Sequence, residues 1–82
     1  MVMYEAGMLA RSKAGHDKAQ MYIIKEVDDT YVYLVDGRIR TLGRPKKKKK
    51  KHVQIVHGIY NMKELDDAGI RKLIKDWMKE EK

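Results

Sequence analysis

The sequence contains no cysteine among its 82 residues, which removes two common supports of a small fold. A disulfide framework and a thiolate metal site both need cysteine, so the chain must fold around one hydrophobic core. It also lacks any apolar run of about 18 residues, the length that a membrane-spanning helix needs. Glu5 and Arg11 come too early for a secretory signal core. These absences predict a single domain over residues 1–82 that is soluble and cytoplasmic.

Acidic residues are missing from one segment, and that segment carries the whole net charge. The formal net charge of the chain is +7. Between Arg38 and Lys51 there are nine basic residues and no acidic one, which gives this segment +9 and the rest of the chain −2. A charge asymmetry of this kind concerns partners rather than fold, and it predicts a polyanionic partner.

Short apolar segments separated by turn signals predict strands over about residues 5–60. The strand-like segments are Gly7–Ser12, Met21–Val27, Thr30–Val35, Arg38–Leu42 and His52–Tyr60. Asp36-Gly37 is a hairpin signal after the third segment, and Gly43 and Pro45 end the fourth. Five short strands at this spacing are typical of a small β-barrel or sandwich.

The apolar period changes near the C-terminus and predicts an α-helix over about residues 66–80. The apolar residues that share one helical face are Ile70, Leu73, Ile74, Trp77 and Met78. Asp66 is the predicted N-cap, and Leu65 and Ile70 are placed for a hydrophobic staple. Because a helix of this length is marginal alone, its apolar face must pack against the barrel or a partner. We expect Trp77 to serve packing rather than binding.

Six consecutive lysines, Lys46–Lys51, lie in the middle of the chain. Because like charges repel and cannot be buried, the sequence predicts a solvated, disordered loop over about residues 43–52 in the free protein. Lysine–phosphate contacts release counterions and give affinity without sequence readout. A loop held at both ends by strands would present this charge to a folded RNA, whose shape would specify the site.

The stretch "GMLARSKAGHDKAQMYIIKEV" contains two strand-like segments joined by a basic turn. Followed in order by "YVYLVDGRIR" and "KHV", it resembles the KOW-domain proteins related to the L-fourteen-e type large-subunit ribosomal proteins. The resemblance covers Gly7–Ile55, and the matching positions are Gly7, Leu9, Ala10, Gly15 and Asp17-Lys18. Ala19 departs from the family, which often has glycine there. The resemblance implies a mainly β fold, a small SH3-like barrel of about five strands, here with a C-terminal α-helix.

The resemblance and the charge together predict an RNA-binding protein of the translation machinery, bound to ribosomal RNA or the large ribosomal subunit. The candidate RNA-binding residues of the first basic turn are Arg11, Lys13, Gly15, His16 and Lys18. Those of the second basic segment are Arg38, Arg40, Arg44, Lys46, Lys47, Lys48, Lys49, Lys50, Lys51 and His52. Gly15 would let the backbone approach a phosphate; the alternative is that the first turn is only a hairpin turn with solvated charges.

Three other binding modes remain open or are disfavoured. Exposed tyrosines among Tyr22, Tyr31 and Tyr33 could stack on bases, but one face of the third strand must be core. In the main alternative, the chain is a protein-interaction module whose helix contacts ribosomal or transcription proteins, as elongation-factor KOW domains contact RNA polymerase. No membrane partner is expected, because no exposed apolar anchor or lipidation motif accompanies the lysines.

Catalytic and metal-binding patterns are absent from the sequence. The three histidines lack the helical or tight-loop spacing with a carboxylate that metal sites use. His16-Asp17 has no nucleophile motif or phosphate-binding glycine loop beside it. We therefore expect no enzyme activity, no metal, no cofactor and no small-molecule substrate.

Overall fold

The computed structural model describes residues 3–13 and 20–80. The elements within these residues are β1 Met8–Ser12, β2 Met21–Val27, β3 Tyr31–Val35, β4 Lys46–Lys49, a 3-10 helix Lys50–His52, β5 Val53–Ile59, a 3-10 helix Met62–Glu64 and α1 Asp67–Glu80. The strands pair antiparallel in the order β4-β3-β2-β1-β5. The sheet curls into a half-barrel, so the predicted mainly β, SH3-like fold with a C-terminal helix is confirmed. In these two ranges no helix is both long and apolar enough to cross a bilayer.

Both faces of the sheet bury apolar side chains, because successive strand residues point to opposite faces. The helix-side cluster consists of Leu9, Met21, Ile23, Val35, Ile70 and Ile74. The opposite-face cluster consists of Ala10, Tyr22, Ile24, Val32, Leu34 and Val53. The first four residues of β2 are therefore buried in succession. This two-sided burial fixes the register of the central strands, since a slip by one residue would exchange the two clusters.

The C-terminal helix packs on the sheet of its own chain. Asp66 Oδ1 accepts the backbone N–H of Gly69 at 2.7 Å, which confirms the predicted N-cap. Ile70 and Ile74 are buried in the helix-side cluster, with Leu65, Leu73 and Trp77 partly buried against it. Trp77 is thus a packing residue as predicted, although it is only half-buried. The apolar face ends before Met78, which is 44% exposed.

Gly7 allows the backbone of β1 to start between two neighbouring chain segments. Its N–H donates to the carbonyl of Ile24 at 2.8 Å, and its own carbonyl accepts the N–H of Tyr60 at 2.8 Å. Its φ is +96°, and a Cβ at this position would overlap the carbonyl oxygen of Tyr60. Only glycine combines this conformation with this close approach.

The predicted fourth strand, Arg38–Leu42, is wrong, because a turn occupies its first half. The Asp36 carboxylate accepts the backbone N–H of Arg38 at 2.8 Å and that of Arg40 at 3.0 Å. The Arg40 carbonyl accepts the N–H groups of Asp36 and Gly37, at 2.8 and 3.1 Å. These backbone groups are satisfied inside the turn, so they do not pair with β3. Ile39, at the tip, is 81% exposed.

The predicted lysine loop is also wrong, because Lys46–Lys49 forms β4. Lys46 pairs with Leu34 and Lys49 pairs with Tyr31. The chain continues as the 3-10 helix, where the N–H of Lys50 donates to the Thr30 carbonyl at 3.0 Å. Pairing with β3 satisfies the backbone on one side, and alternation sends neighbouring ammonium groups to opposite faces. The position at the edge of the sheet leaves all of these charges access to water.

We expect Ile70→Ala to destabilise the protein by about 2–5 kcal/mol, because it removes a fully buried side chain beneath α1. Urea denaturation followed by circular dichroism measures the change in unfolding free energy. Met78→Ala, on the same helix but exposed, is the matched control and should cost about 0.5 kcal/mol or less. Equal effects of the two substitutions would mean that α1 is not docked on the sheet.

Candidate nucleic-acid interface

The four lysines of β4 distribute their charge over both sides of one sheet edge. Lys47 and Lys49 are exposed, whereas Lys46 and Lys48 are half-buried. The half-buried pair lies on the face of Val32 and Leu34, where a lysine can cover apolar surface with its aliphatic stem and keep its ammonium group in water. The strand therefore presents cations in two directions from a fixed backbone.

Tyrosine rings lie beneath three ammonium groups of the lysine run. Lys47 Nζ lies 4.2 Å from the centroid of Tyr31, and Lys46 Nζ lies 5.8 Å from that of Tyr22. Lys50 Nζ lies 5.8 Å from the ring centroid of Tyr4. Contacts of this kind contribute about 0.5–1 kcal/mol at exposed sites and orient the cation. Tyr22 is 4% exposed, so base stacking on this ring is sterically blocked.

Asp28 fixes the turn that begins β3. Its carboxylate accepts the backbone N–H of Tyr31 at 2.6 Å and that of Thr30 at 2.9 Å, and the hydroxyl of Tyr33 at 2.9 Å. The two backbone donors, with smaller effects of the Tyr33 hydroxyl and the Lys47 charge, hold the pKa of Asp28 below its usual value. The hydrogen bond that the Tyr33 hydroxyl donates to Asp28 also raises the pKa of Tyr33. The Asp28 carboxylate is therefore negative at neutral pH and places a negative charge near Lys47.

The first 3-10 helix joins the lysine run to the end of β1. The backbone N–H of Lys13 donates to the His52 carbonyl at 2.8 Å. The Tyr4 hydroxyl donates to the Lys50 carbonyl at 2.9 Å. Lys49–Lys51 line a shallow cleft of about 350 Å³ with Asp29 and Thr30. Lys13 and Lys46–His52 are thus neighbours and form a mainly basic area, bordered by Asp29 and here called the lysine surface.

The structure separates some of the other predicted site residues from this surface. Arg11 is half-buried within β1, opposite Met21 of β2 and Gln54 of β5. Arg38 and Arg40 lie in the turn after β3, at the end of that strand remote from the 3-10 helix. Arg44 is exposed in the turn that precedes β4, where its N–H donates to the Thr41 carbonyl at 2.9 Å.

Three predicted site residues, Gly15, His16 and Lys18, lie outside the described residues. The predicted contribution of the first basic turn can therefore be followed only at Arg11 and Lys13. Of these two, Lys13 is exposed and belongs to the lysine surface.

Sequence reasoning missed a second group of cations on α1. Residues 66–82 contain five basic and five acidic residues, so their net charge is zero. The group consists of Arg71, Lys72, Lys75 and Lys79, all exposed. Their spacing places them on one side of the helix, away from the buried Ile70 and Ile74. These four cations are identified by their spacing along the helix and not by the net charge of the segment.

Comparison of the chain with protein-family models and with curated proteins finds no match. The resemblance to KOW-domain proteins therefore stays a prediction from the motifs quoted above. Within the described ranges, no group of three or more histidine, aspartate or glutamate side chains is placed to hold a metal ion. The chemistry that the lysine surface offers is cationic contact with an anionic partner.

Asp28 gives a pH dependence whose sign follows from its lowered pKa. Its contribution to stability is complete above the unfolded value of 3.8 and is lost as the pH falls through the lower folded value. We expect Asp28→Asn to be destabilising near neutral pH and to approach wild-type stability as the pH falls below 3.8 and through the lower folded pKa. Tyr33→Phe, which keeps both backbone donors, should retain most of this pH dependence. Denaturant titrations across this pH range check it, and a pH-independent difference between Asp28→Asn and wild type would contradict it.

Proposed function

We propose that this chain is an RNA-binding protein that contacts folded RNA, ribosomal RNA of the large subunit above all, through the lysine surface. The observation that carries the proposal is the ordered backbone of the lysine run, paired with β3 and continued into a 3-10 helix. Ordering a loop of this composition at the moment of binding would cost conformational entropy. A lysine strand that is ordered in the free protein avoids that cost.

The chemistry of lysine favours a phosphate backbone whose geometry is already fixed. Ammonium groups act as point charges, which give salt-dependent affinity without reading bases. A rigid row of such charges binds most favourably to phosphates that a folded RNA holds at fixed positions. The resemblance to the KOW-domain ribosomal proteins points to the same partner.

The packing of α1 weakens the main alternative, a protein-interaction module. In that alternative, the apolar face of the helix contacts ribosomal or transcription proteins. Ile70 and Ile74 are instead buried against the sheet of the same chain, with Leu73 and Trp77 packed beside them. The described part of the helix thus turns its main apolar face to the sheet, so that face is not free for helix-in-groove recognition.

A charge-removal series tests the proposal. We expect Lys47→Gln, Lys49→Gln and Lys51→Gln together to lower the slope of log affinity against log salt by about 2–3, since each lost phosphate contact removes about 0.7–0.9. Affinity should fall for every RNA tested by a similar factor, because these contacts carry no base readout. Filter binding to a large-subunit ribosomal RNA fragment, repeated at several salt concentrations, measures both quantities.

A matched pair of single variants provides the control. Lys49→Gln should lower the salt slope by about 0.7–0.9, whereas Lys63→Gln, an exposed lysine on the second 3-10 helix, should leave it unchanged. Circular dichroism confirms that each variant is folded. A wild-type salt slope in the triple variant would refute RNA binding by the lysine surface, and binding only to anionic vesicles would replace RNA by a membrane partner.

A further inference from the structure

A second basic surface lies where α1 meets the Asp36–Arg40 turn. A groove of about 890 Å³ runs between them, and Ala68 and Met78 are among the residues that line it. Its basic lining residues are Arg38, Arg71, Lys72, Lys75 and Lys79. Of the lining residues that the structure describes, none is acidic. We call this area the helix groove.

The helix groove combines cations from two elements that are fixed to each other. Arg71 Nη1 donates to the Gly37 carbonyl at 2.6 Å. Gly37 has φ +78°, and a Cβ there would overlap the carbonyl oxygen of Asp67, so turn and helix are in close contact. The Asp67 carboxylate accepts the N–H of Leu42 at 2.8 Å, which attaches the end of the turn segment to the start of α1. The cations of the groove are therefore held on a rigid frame.

The first carboxylates of α1 do not neutralise this groove. Asp66 caps the helix by accepting the Gly69 N–H, and Asp67 accepts the Leu42 N–H. Both lie at the first turn of the helix, whereas Lys72, Lys75 and Lys79 continue along its length. The three lysines therefore lie beyond those two carboxylates, and Asp76, which is exposed on the same helix, is not among the residues that line the groove.

The helix groove lies at the C-terminal end of β3, whereas the lysine surface runs along this strand from Lys46, paired with Leu34, to the 3-10 helix at its other end. Thr30, beside the 3-10 helix, precedes this strand, and Gly37, beside α1, follows it. At about 3.3 Å per residue, the seven steps between these two positions span at most about 23 Å. The Cα extents of the described residues are 28 × 28 × 23 Å, so this separation spans most of the molecule.

We propose that the helix groove is a second phosphate-binding surface, which holds the sugar–phosphate backbone of a second RNA segment while the lysine surface holds the first. The proposal rests on the proposed function, since it assumes RNA on the lysine surface. Charge complementarity selects the occupant, because five cations line the groove without a described acidic group among them. A phosphate backbone can contact these cations, whereas an apolar protein helix would cover them without supplying an anionic partner.

Two surfaces on one rigid molecule make the protein a clamp between RNA segments. Once one segment is bound, the other surface meets a second segment of the same folded RNA at an effective concentration in the millimolar range. Each surface can then be weak alone while the pair holds a folded RNA firmly. Single-stranded RNA too short to reach both surfaces gains nothing from this arrangement.

Fluorescence resonance energy transfer between two separately labelled RNAs tests whether one protein binds two RNA segments at once. Donor-labelled and acceptor-labelled copies of one short RNA hairpin, too small to occupy both surfaces of one protein, are mixed with protein, and fluorescence energy transfer is measured. Wild type should raise the transfer when RNA exceeds protein and lose it when protein exceeds RNA, because every RNA then has its own protein. Lys72→Gln, Lys75→Gln and Lys79→Gln together should abolish the transfer and lower the salt slope by about 2–3. Lys63→Gln should behave as wild type.

The outcomes separate this inference from the proposed function. If the helix-groove variant binds RNA through the lysine surface but no longer gives energy transfer, the second surface is supported. If it keeps full transfer and the wild-type salt slope, the second surface is refuted while RNA binding stands. If lysine-surface and helix-groove variants both bind RNA as wild type does, the proposed function fails instead. Loss of binding to phosphatidylserine vesicles, with RNA binding unchanged, would assign the groove to a membrane and overturn the proposal.

Discussion

The pairing of β4 with β3 is the constraint on which the rest of the basic surface depends. A lysine run cannot enter the centre of a sheet, because its charges would lose water on both faces. At an edge, the backbone pairs on one side and the ammonium groups alternate between two solvent-accessible directions. The same lysines discourage edge-to-edge association with another sheet. An edge strand thus allows Lys46–Lys49 to be ordered within a small folded domain while their charges stay in water.

The stability of the edge strand β4 depends on β3, the strand with which it pairs. Val32 and Leu34 anchor β3 in the opposite-face cluster, and Asp28 fixes its first turn through three hydrogen bonds. On the other face, Ile70 and Ile74 attach α1 to the sheet. This attachment sets the rotation of the helix and so turns its basic side towards the Asp36–Arg40 turn. One core therefore positions both cationic surfaces.

Local pattern predicted β1, β2, β3, β5 and α1, because alternation, helical period and the Asp66 cap are properties of neighbouring residues. The fourth strand was misplaced, since Arg38–Leu42 alternates like a strand and lysines have low strand propensity. Two interactions that the local pattern does not contain determine where the fourth strand forms. The Asp36 carboxylate takes the N–H groups of the turn, and β3 offers its free edge to Lys46–Lys49. The basic side of α1 was not predicted, because the basic and acidic residues of this segment sum to zero. Only their helical spacing shows that several basic residues share one side of the helix.

Nuclear magnetic resonance of the free protein tests the central claim, that the lysine run is an ordered edge strand before any RNA is bound. We expect nuclear Overhauser effects between the paired residues Tyr33 and Lys47 and between Val32 and Lys48, with extended-strand chemical shifts through Lys46–Lys49. The backbone order parameters of Lys46–Lys49 should approach about 0.85, as in rigid strands. Random-coil shifts, absent cross-strand effects and order parameters below about 0.6 would show instead that the lysines are a loop that becomes ordered only on a partner.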